Sequence, residues 1–190
     1  MKLVVGLGNP GPEYAWSRHN AGWLAVDSFT TRIEAGPPRS KYGGAFWPAS
    51  QVEGAGVAFL KPFTYMNLSG KSVIEAVRYH DIEPPDVLVV FDDAAIPFGT
   101  LRYRDSGSAG GHRGMASILG AIGTLGVPRL RVGVGAPPEV MEMRDWVLGK
   151  FPKEQRDAWP QVEELAWSAL SKWLAGAAGQ GFTLRAQLQG

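Results

Sequence analysis

Two short segments with continuous apolar centres constrain the fold of this chain more than any other feature. They are KLVVGL, at residues 2–7, and DVLVVF, at residues 86–91. An apolar run without alternation is typical of a strand that is buried on both faces of a parallel or mixed sheet. Such strands need helices above and below them, so the two segments predict a layered α/β fold.

The remaining patterns add helices and a hairpin to this framework. Apolar residues recur every three or four positions in four stripes, namely Trp23, Val26, Phe29 and Ile33; Val73 and Val77; Met115, Ile118, Leu119 and Ile122; and Val162, Ala166, Ala169 and Trp173. We expect Ser69 to cap the second helix and Pro160 to open the fourth. Residues 44–61 predict a hairpin that turns at Gly54 and Gly56.

Composition limits the class of protein. A chain of 190 residues with 45% hydrophobic and 19% charged residues fits one globular domain. The longest apolar stretches are too short for a membrane helix or a signal peptide, so we expect a cytoplasmic protein. Cysteine is absent, which excludes disulfides, thiolate zinc sites and a cysteine nucleophile. From about Gly176 onward the sequence is weakly patterned, and we expect a flexible tail there.

Basic residues concentrate in one part of a chain whose net charge is only +1. LRYR (101–104) and RLRVGV (129–134) alternate as half-buried strands do, which predicts an inward face of Leu101, Tyr103, Leu130, Val132 and Val134. The opposite face would carry Arg102, Arg104, Arg129 and Arg131, with Asp105 as the one acidic residue nearby. Paired guanidinium groups suit phosphate oxygens, although a solvated arginine face explains the same pattern.

The glycine-rich segment GLGNPG, at residues 6–11, formally matches the dinucleotide-binding fingerprint. However, Pro10 lacks the N–H group that a phosphate-binding helix start requires, and the acidic residue about 20 positions on, Asp27, lies within a helical stripe and not at a strand end. A nicotinamide-dependent oxidoreductase, based on Gly6, Gly8 and Gly11, is therefore a weak alternative. The second glycine cluster, GSAGGHRG at residues 107–114, predicts a mobile loop that carries His112.

His19 and Asp92 are the best candidates for chemistry. His19 follows the loop after the first buried strand, and Asp92 ends the second. If these strands are parallel, both side chains reach the same sheet edge, where Asp92 would orient the imidazole and leave it free to deprotonate water. Alternatively, Asp92 or Asp93 caps the following turn. No histidine pair has metal-binding spacing, and Ser17 lacks the elbow of a serine nucleophile, so we predict neither a metal nor an acyl-enzyme.

Four segments, which follow one another in the same order along the chain, closely resemble those of the bacterial-type peptidyl-tRNA hydrolases. They are GLGNPGPEYAWSRHNAGWLAVD (6–27), KPFTYMNLSGKSV (61–73), FDDAAIPFG (91–99) and GSAGGHRGMASI (107–118). The resemblance implies a single-domain, monomeric α/β/α globule with a mixed, mostly parallel twisted sheet. It also implies a metal-free and cofactor-free esterase that cleaves the bond between a peptide and the 3'-terminal ribose of tRNA.

The resemblance assigns roles residue by residue. It makes His19 the general base and Asp92 the group that orients it, and both assignments agree with the reading of the residues themselves. Asn9 and Asn67 resemble the amides that hold the reacting ester and stabilise the oxyanion. The family's substrate-contacting positions correspond to Tyr14, Met66, Asn67, His112 and Arg113, and its tRNA-phosphate contacts to Arg102, Arg104 and Arg131.

Three positions depart from the family pattern. Arg113 replaces the usual Asn after GGH, Ala95 replaces an Asp, and Ser17 replaces the commoner Thr before RHN. The substitution at residue 113 matters most, because a guanidinium donates hydrogen bonds but accepts none. A non-catalytic RNA-binding protein on the same fold is therefore the main alternative to the hydrolase. Retention of Asn9, His19, Asn67, Asp92 and His112 argues for the enzyme.

Overall fold

The computed structural model describes residues 1–176, 179 and 181–188, and eight strands and six α-helices lie within them. The strands are β1 (Lys2–Gly6), β2 (Arg39–Lys41), β3 (Gly44–Val52), β4 (Ala55–Pro62), β5 (Val87–Asp93), β6 (Thr100–Arg104), β7 (Arg129–Gly133) and β8 (Phe182–Arg185). The helices are α1 (Ala21–Arg32), α2 (Ser69–His80), α3 (Arg113–Ile122), α4 (Met143–Leu148), α5 (Lys153–Asp157) and α6 (Trp159–Leu174).

The described strands form one mixed sheet in the order β2-β3-β4-β1-β5-β7-β6-β8. β1 lies parallel to β4 and to β5, and β5 lies parallel to β7. The four remaining pairs in the described sheet are antiparallel. The mixed α/β architecture is confirmed, but the expected majority of parallel pairs is wrong. Parallel pairing is confined to the centre, because antiparallel strands extend the sheet at both edges.

The central strands bury alternate residues in two separate cores. Val4 of β1 belongs to the core under α1 and α6, whereas Leu3 and Val5 belong to the core under α2 and α3. This arrangement follows from the twofold side-chain period of a strand, which sends neighbouring residues to opposite faces. The four predicted apolar stripes correspond to these four helices, so the α/β/α layering is confirmed.

Glycines allow α1 to lie unusually close to the sheet. A Cβ atom on Gly22 would lie 2.1 Å from the carbonyl oxygen of Val90, and one on Gly6 would lie 2.3 Å from the carbonyl oxygen of Gly22. A Cβ atom on Gly8 would meet the Trp23 ring at 2.6 Å. The glycines of the GLGNPG segment therefore serve the packing of α1, which explains the fingerprint without a dinucleotide.

The C-terminal segment contradicts the expectation of a tail from about Gly176. Residues Phe182–Arg185 form the edge strand β8, which pairs antiparallel with β6. The Phe182 ring stacks on Tyr103 with 4.8 Å between ring centroids. Pairing is favoured because β6 would otherwise present an open edge of unpaired backbone groups. The alternating side chains of Phe182 and Leu184 pack against the hydrophobic core. Residues 177, 178, 180, 189 and 190 lie outside the described part of the chain.

Two smaller expectations also need correction. The β3–β4 hairpin turns at Glu53 and Gly54, both with positive φ, while Gly56 lies within β4. Ser69 is the first residue of α2 rather than its cap, since its hydroxyl donates to the Met66 carbonyl. Among the described residues, no helix is both long and apolar enough to cross a bilayer.

Candidate active site

Two parallel neighbours, β1 and β5, bring the candidate residues to one sheet edge. Gly6 at the end of β1 pairs with Val90, two residues before Asp92. The loop after β1 leads to a short 3-10 turn, Arg18–Asn20, which directly precedes α1 and holds His19 above the strand ends. As a result, His19 Nδ1 lies 2.8 Å from one Asp92 carboxylate oxygen and 2.9 Å from the other.

Asp92 also contacts a second histidine. His112 Nε2 lies 2.9 Å from the Asp92 oxygen Oδ1. His112 is the N-cap residue of α3, and its Nδ1 accepts a hydrogen bond from the Met115 amide at 3.3 Å. Because Nδ1 is an acceptor, the proton of the neutral ring lies on Nε2 and is donated to Asp92. Both nitrogens of His112 are thereby engaged, and the ring helps to hold the carboxylate.

The triad His19, Asp92 and His112 leaves one imidazole nitrogen for chemistry. His19 Nδ1 donates to Asp92, which places the lone pair of the neutral ring on Nε2. His19 lines the cleft, and its Nε2 makes no hydrogen bond to any described residue. A nitrogen with this tautomer and this access can accept a proton from water.

The carboxylate of the triad is held in its charged form. Asp92 is only 4% exposed. Burial alone would raise the pKa of Asp92, but its interactions with His112 and then with His19, which include a hydrogen bond from each ring, outweigh that effect and lower the pKa below its usual value. Asp92 therefore accepts from two rings at neutral pH. Asp93 caps the turn instead, since its Oδ1 accepts from the Ala95 amide at 2.8 Å.

The same three side chains have the composition of a metal site. One ligand atom from each of His19, Asp92 and His112 lies within 4.8 Å of the others. Metal binding through His112 Nε2 would require the ring proton on Nδ1, where the Met115 N–H already points. The donor set therefore fits a hydrogen-bonded network better than a metal.

Two of the predicted amides occupy different environments. Asn20 fixes the turn that carries Asn9, because its Oδ1 accepts from the Asn9 amide at 2.8 Å and its Nδ2 donates to the Asn9 carbonyl at 3.0 Å. The Asn9 side chain lines the cleft and makes no hydrogen bond within the described residues. Asn67, in contrast, is exposed and is absent from the cleft lining. In the turn Met66–Leu68 the buried Met66 takes the inner position, which turns Asn67 outward.

A cleft of about 1200 Å³ opens above the triad. Of the predicted substrate contacts, the structure places Tyr14, Met66, His112 and Arg113 in its wall. The lining combines apolar side chains, such as Phe63, Leu68 and Val147, with the polar side chains of the triad. Ser17 is fully buried, so it cannot act as a nucleophile on a substrate in the cleft.

The arginines of β6 and β7 do not form one surface. Arg129 is fully buried, contrary to the expected outward position, and its guanidinium donates to the carbonyls of Val127, Ser108 and Leu125. Burial, followed by the charge of Arg131, lowers the pKa of Arg129 to about 10. The alternation along β7 predicted the correct face of the sheet for this side chain, but the loops around residues 108 and 125 cover it.

The three arginines predicted to contact tRNA remain partly exposed. Arg131 lies opposite Arg102 across the β6–β7 pair and contacts Asp93 at 3.3 Å. Arg104 donates to its neighbour, the Tyr103 carbonyl, at 2.8 Å. The Arg102 side chain makes no hydrogen bond within the described residues. Arg131 is linked to the cleft through Asp93, which is one of the lining residues.

Sequence patterns did not reveal how α4, which contributes to the cleft lining, is held in place. Arg18 is buried beside His19, and its guanidinium stacks on the Trp146 ring at 3.5 Å while donating to the Trp146 carbonyl at 3.1 Å. The Trp146 indole in turn donates to the Gly135 carbonyl. These contacts fix α4 over the cleft. The polar segment SRHN (17–20) was the only hint of such a contact in the sequence. It could not identify the partner, because Trp146 lies 128 positions from Arg18.

An imidazole that lines an open cleft and is oriented by a buried carboxylate, at the edge of an α/β sheet, is an arrangement typical of hydrolases. A family model described as peptidyl-tRNA hydrolase matches residues 3–186. The peptidyl-tRNA hydrolase of Symbiobacterium thermophilum is 50% identical over 154 residues, covering 79% of this chain and 80% of the relative. That of Oceanobacillus iheyensis is 41% identical over 176 residues, covering 93% and 94%.

Solved structures agree with these relatives. The crystal structure of peptidyl-tRNA hydrolase from Acinetobacter baumannii matches with a TM-score of 0.86 and 33% identity, covering 93% of this chain and 90% of that chain. This chain belongs to the peptidyl-tRNA hydrolase family, and it is an enzyme that hydrolyses peptidyl-tRNA. The predicted family, fold class and activity are confirmed, while the roles of individual residues stay predictions.

Proposed function

We propose that the enzyme cleaves the ester between the peptide and the 3'-terminal ribose in one step, with water activated by His19 and without a covalent intermediate. His19 Nε2 takes a proton from water, and the hydroxide oxygen forms a bond to the ester carbonyl carbon. The bond from that carbon to the ribose oxygen then breaks, and His19 returns the proton to the leaving oxygen. The products are a peptide with a free carboxyl group and tRNA.

The contact between His19 Nδ1 and Asp92, at 2.8 Å, carries this proposal. It fixes the tautomer in which Nε2 is the base, and the carboxylate stabilises the imidazolium that forms. His112 acts as a positioning residue through Asp92. The side-chain amide of Asn9, whose backbone is held by Asn20, donates to the developing oxyanion. Participation of Asn67 is a prediction that requires this side chain to turn toward the cleft.

Substrate selection involves both ends of the molecule. Tyr14 and Met66 contact the peptide, and Arg102, Arg104 and Arg131 contact phosphates of the tRNA. An unblocked aminoacyl group has no peptide amide for the cleft to contact. The enzyme therefore favours N-substituted aminoacyl groups. From the family resemblance, we also propose that the enzyme is a monomer and acts in the cytoplasm.

The release of amino acid from N-acetyl-aminoacyl-tRNA and from unblocked aminoacyl-tRNA, with EDTA present, tests the proposal. We expect hydrolysis of the blocked substrate alone, unaffected by EDTA, and one incorporated ¹⁸O atom in the released carboxyl group when the reaction runs in labelled water. Equal cleavage of both substrates, or inactivation by EDTA that zinc restores, would contradict it.

A further inference from the structure

Three basic side chains line the cleft without any hydrogen bond or ion pair to the described residues. They are Lys71, Arg113 and Arg144. The acidic residues of the same lining, Asp92 and Asp93, already have cationic or hydrogen-bonding partners in the triad and in Arg131. The cleft therefore carries an excess of positive charge that the protein itself does not neutralise.

Two of these cations stand at the beginnings of neighbouring helices. Lys71 is in the first turn of α2, and Arg113 is the first residue of α3. The helices touch near these residues, since the amide of Gly70, next to Lys71, donates at 2.9 Å to the hydroxyl of Ser117, which is one turn after Arg113. Neither helix has an acidic residue in its first turn. Cations at helix N-termini are unfavourable, and residues that break a local rule in this way are typical of functional sites.

The position of this pair relates it to the peptide rather than to tRNA. A Cβ atom on Gly114 would lie 2.5 Å from Met66 Sδ and 2.8 Å from Leu7, so the start of α3 packs beside the segments that follow β1 and β4. Arg131 emerges from β7, on the other side of β5. Three strand spacings separate β4 from β7, or about 14 Å. Asp92 is in β5, which lies between β1 and β7 in the sheet.

On the basis of the proposed function, we infer that Lys71 and Arg113 form a subsite that selects peptides with an acidic side chain close to the ester. A carboxylate of the peptide would lie between the two cations and supply the negative charge that both helix starts lack. Arg113, where the family pattern has an amide, thus changes the substrate preference of the cleft while leaving the triad intact.

The test uses three substrates on one tRNA: N-acetyl-Glu-Ala-tRNA, its Gln isostere and its Lys counterpart. We expect kcat/KM for the Glu substrate to exceed that for the Gln substrate about fivefold, with Lys the poorest, and the ratio to fall as salt is raised. Arg113→Gln and Lys71→Gln should each bring the Glu-to-Gln ratio toward one. Arg78→Gln, on the same helix as Lys71 but outside the cleft lining, should leave it unchanged.

A Glu-to-Gln ratio of one in the unmodified enzyme would overturn the inference, as would a ratio that survives both substitutions. If the pair binds tRNA phosphates instead, the substitutions will lower kcat/KM equally for all three substrates, which also overturns it. Those results would leave the proposed function intact, because all three substrates would still be cleaved. Failure to cleave any of them would overturn both.

Discussion

Two parts of the cleft lining differ in how their charged groups are paired. The floor is the triad His19, Asp92 and His112, and the wall is the part that carries Lys71 and Arg113. On the floor, Asp92 has two histidine partners, and one of those histidines is itself held by the Met115 amide. On the wall, Lys71 and Arg113 have no partner in the described chain. A group that the protein satisfies completely is fixed in geometry, as catalysis requires, whereas a group without an internal partner is available to the substrate.

Breaking the floor should have the largest effect. Asp92→Asn replaces an acceptor by an amide that can donate to His19 Nδ1, which moves the ring proton to Nε2 and removes the base. We expect kcat to fall by about 10²- to 10⁴-fold with little change in tRNA affinity. Asp93→Asn is the matched control, since Asp93 contacts Arg131 instead of the triad. A similar loss of kcat in both variants would contradict the role of Asp92.

A buried and an exposed arginine extend the comparison to stability. Arg129→Met leaves three carbonyl groups without their donor and should lower the free energy of unfolding by about 2–4 kcal/mol. Arg113→Gln removes an equal charge that has no internal partner, so its effect should stay within about 0.5 kcal/mol. Urea unfolding of both variants measures the difference. Equal effects would mean that the carbonyl contacts of Arg129 contribute nothing.

Acid should selectively weaken the floor. The pKa of Asp92 is lower in the folded protein than in the unfolded chain, so its contribution to stability is complete above the unfolded value of about 4 and is lost as the pH falls below it. The stability difference between the wild-type protein and Asp92→Asn should therefore shrink between pH 6 and pH 3. Urea titrations across this range provide the measurement, and a constant difference would show that Asp92 has no lowered pKa.

The smallest effect is expected at the tRNA side. Arg102 and Arg104 are partly exposed, and Arg104 bonds only to the neighbouring carbonyl of Tyr103. Replacing both by Ala should lower tRNA affinity and reduce the slope of log Kd against log salt concentration by about 1 to 2. Fluorescence anisotropy at several salt concentrations can resolve this change. An unchanged slope would identify these arginines as an ordinary solvated surface.

Much of the framework was predictable because it depends on local patterns. The apolar runs of β1 and β5 indicated strands buried in a parallel or mixed sheet, and the parallel pairing that the structure shows brings His19 and Asp92 to one edge. The contact between these two side chains follows from topology, although 73 positions separate them. The two-residue period likewise identified the inward residues of β6 and β7.

Other features depend on how distant loops fold, and no local pattern encodes them. Strand parity gave the face of Arg129 but not the loops around residues 108 and 125 that bury it. The glycine loop predicted mobility for His112, whereas its capping bond and Asp92 hold the ring in place. Asn67 follows the family motif, yet the turn directs it outward. β8 went unrecognised because four residues carry too short an alternation.

The most direct test of the central claim compares catalysis and binding in His19→Ala. If His19 is the base, single-turnover hydrolysis of N-acetyl-aminoacyl-tRNA should slow by about a thousandfold or more. The Kd for deacylated tRNA should stay within about twofold of the wild-type value, because no phosphate contact is lost. A hydrolysis rate within tenfold of wild type, or an equal loss of tRNA binding, would contradict the assignment of His19 as the base.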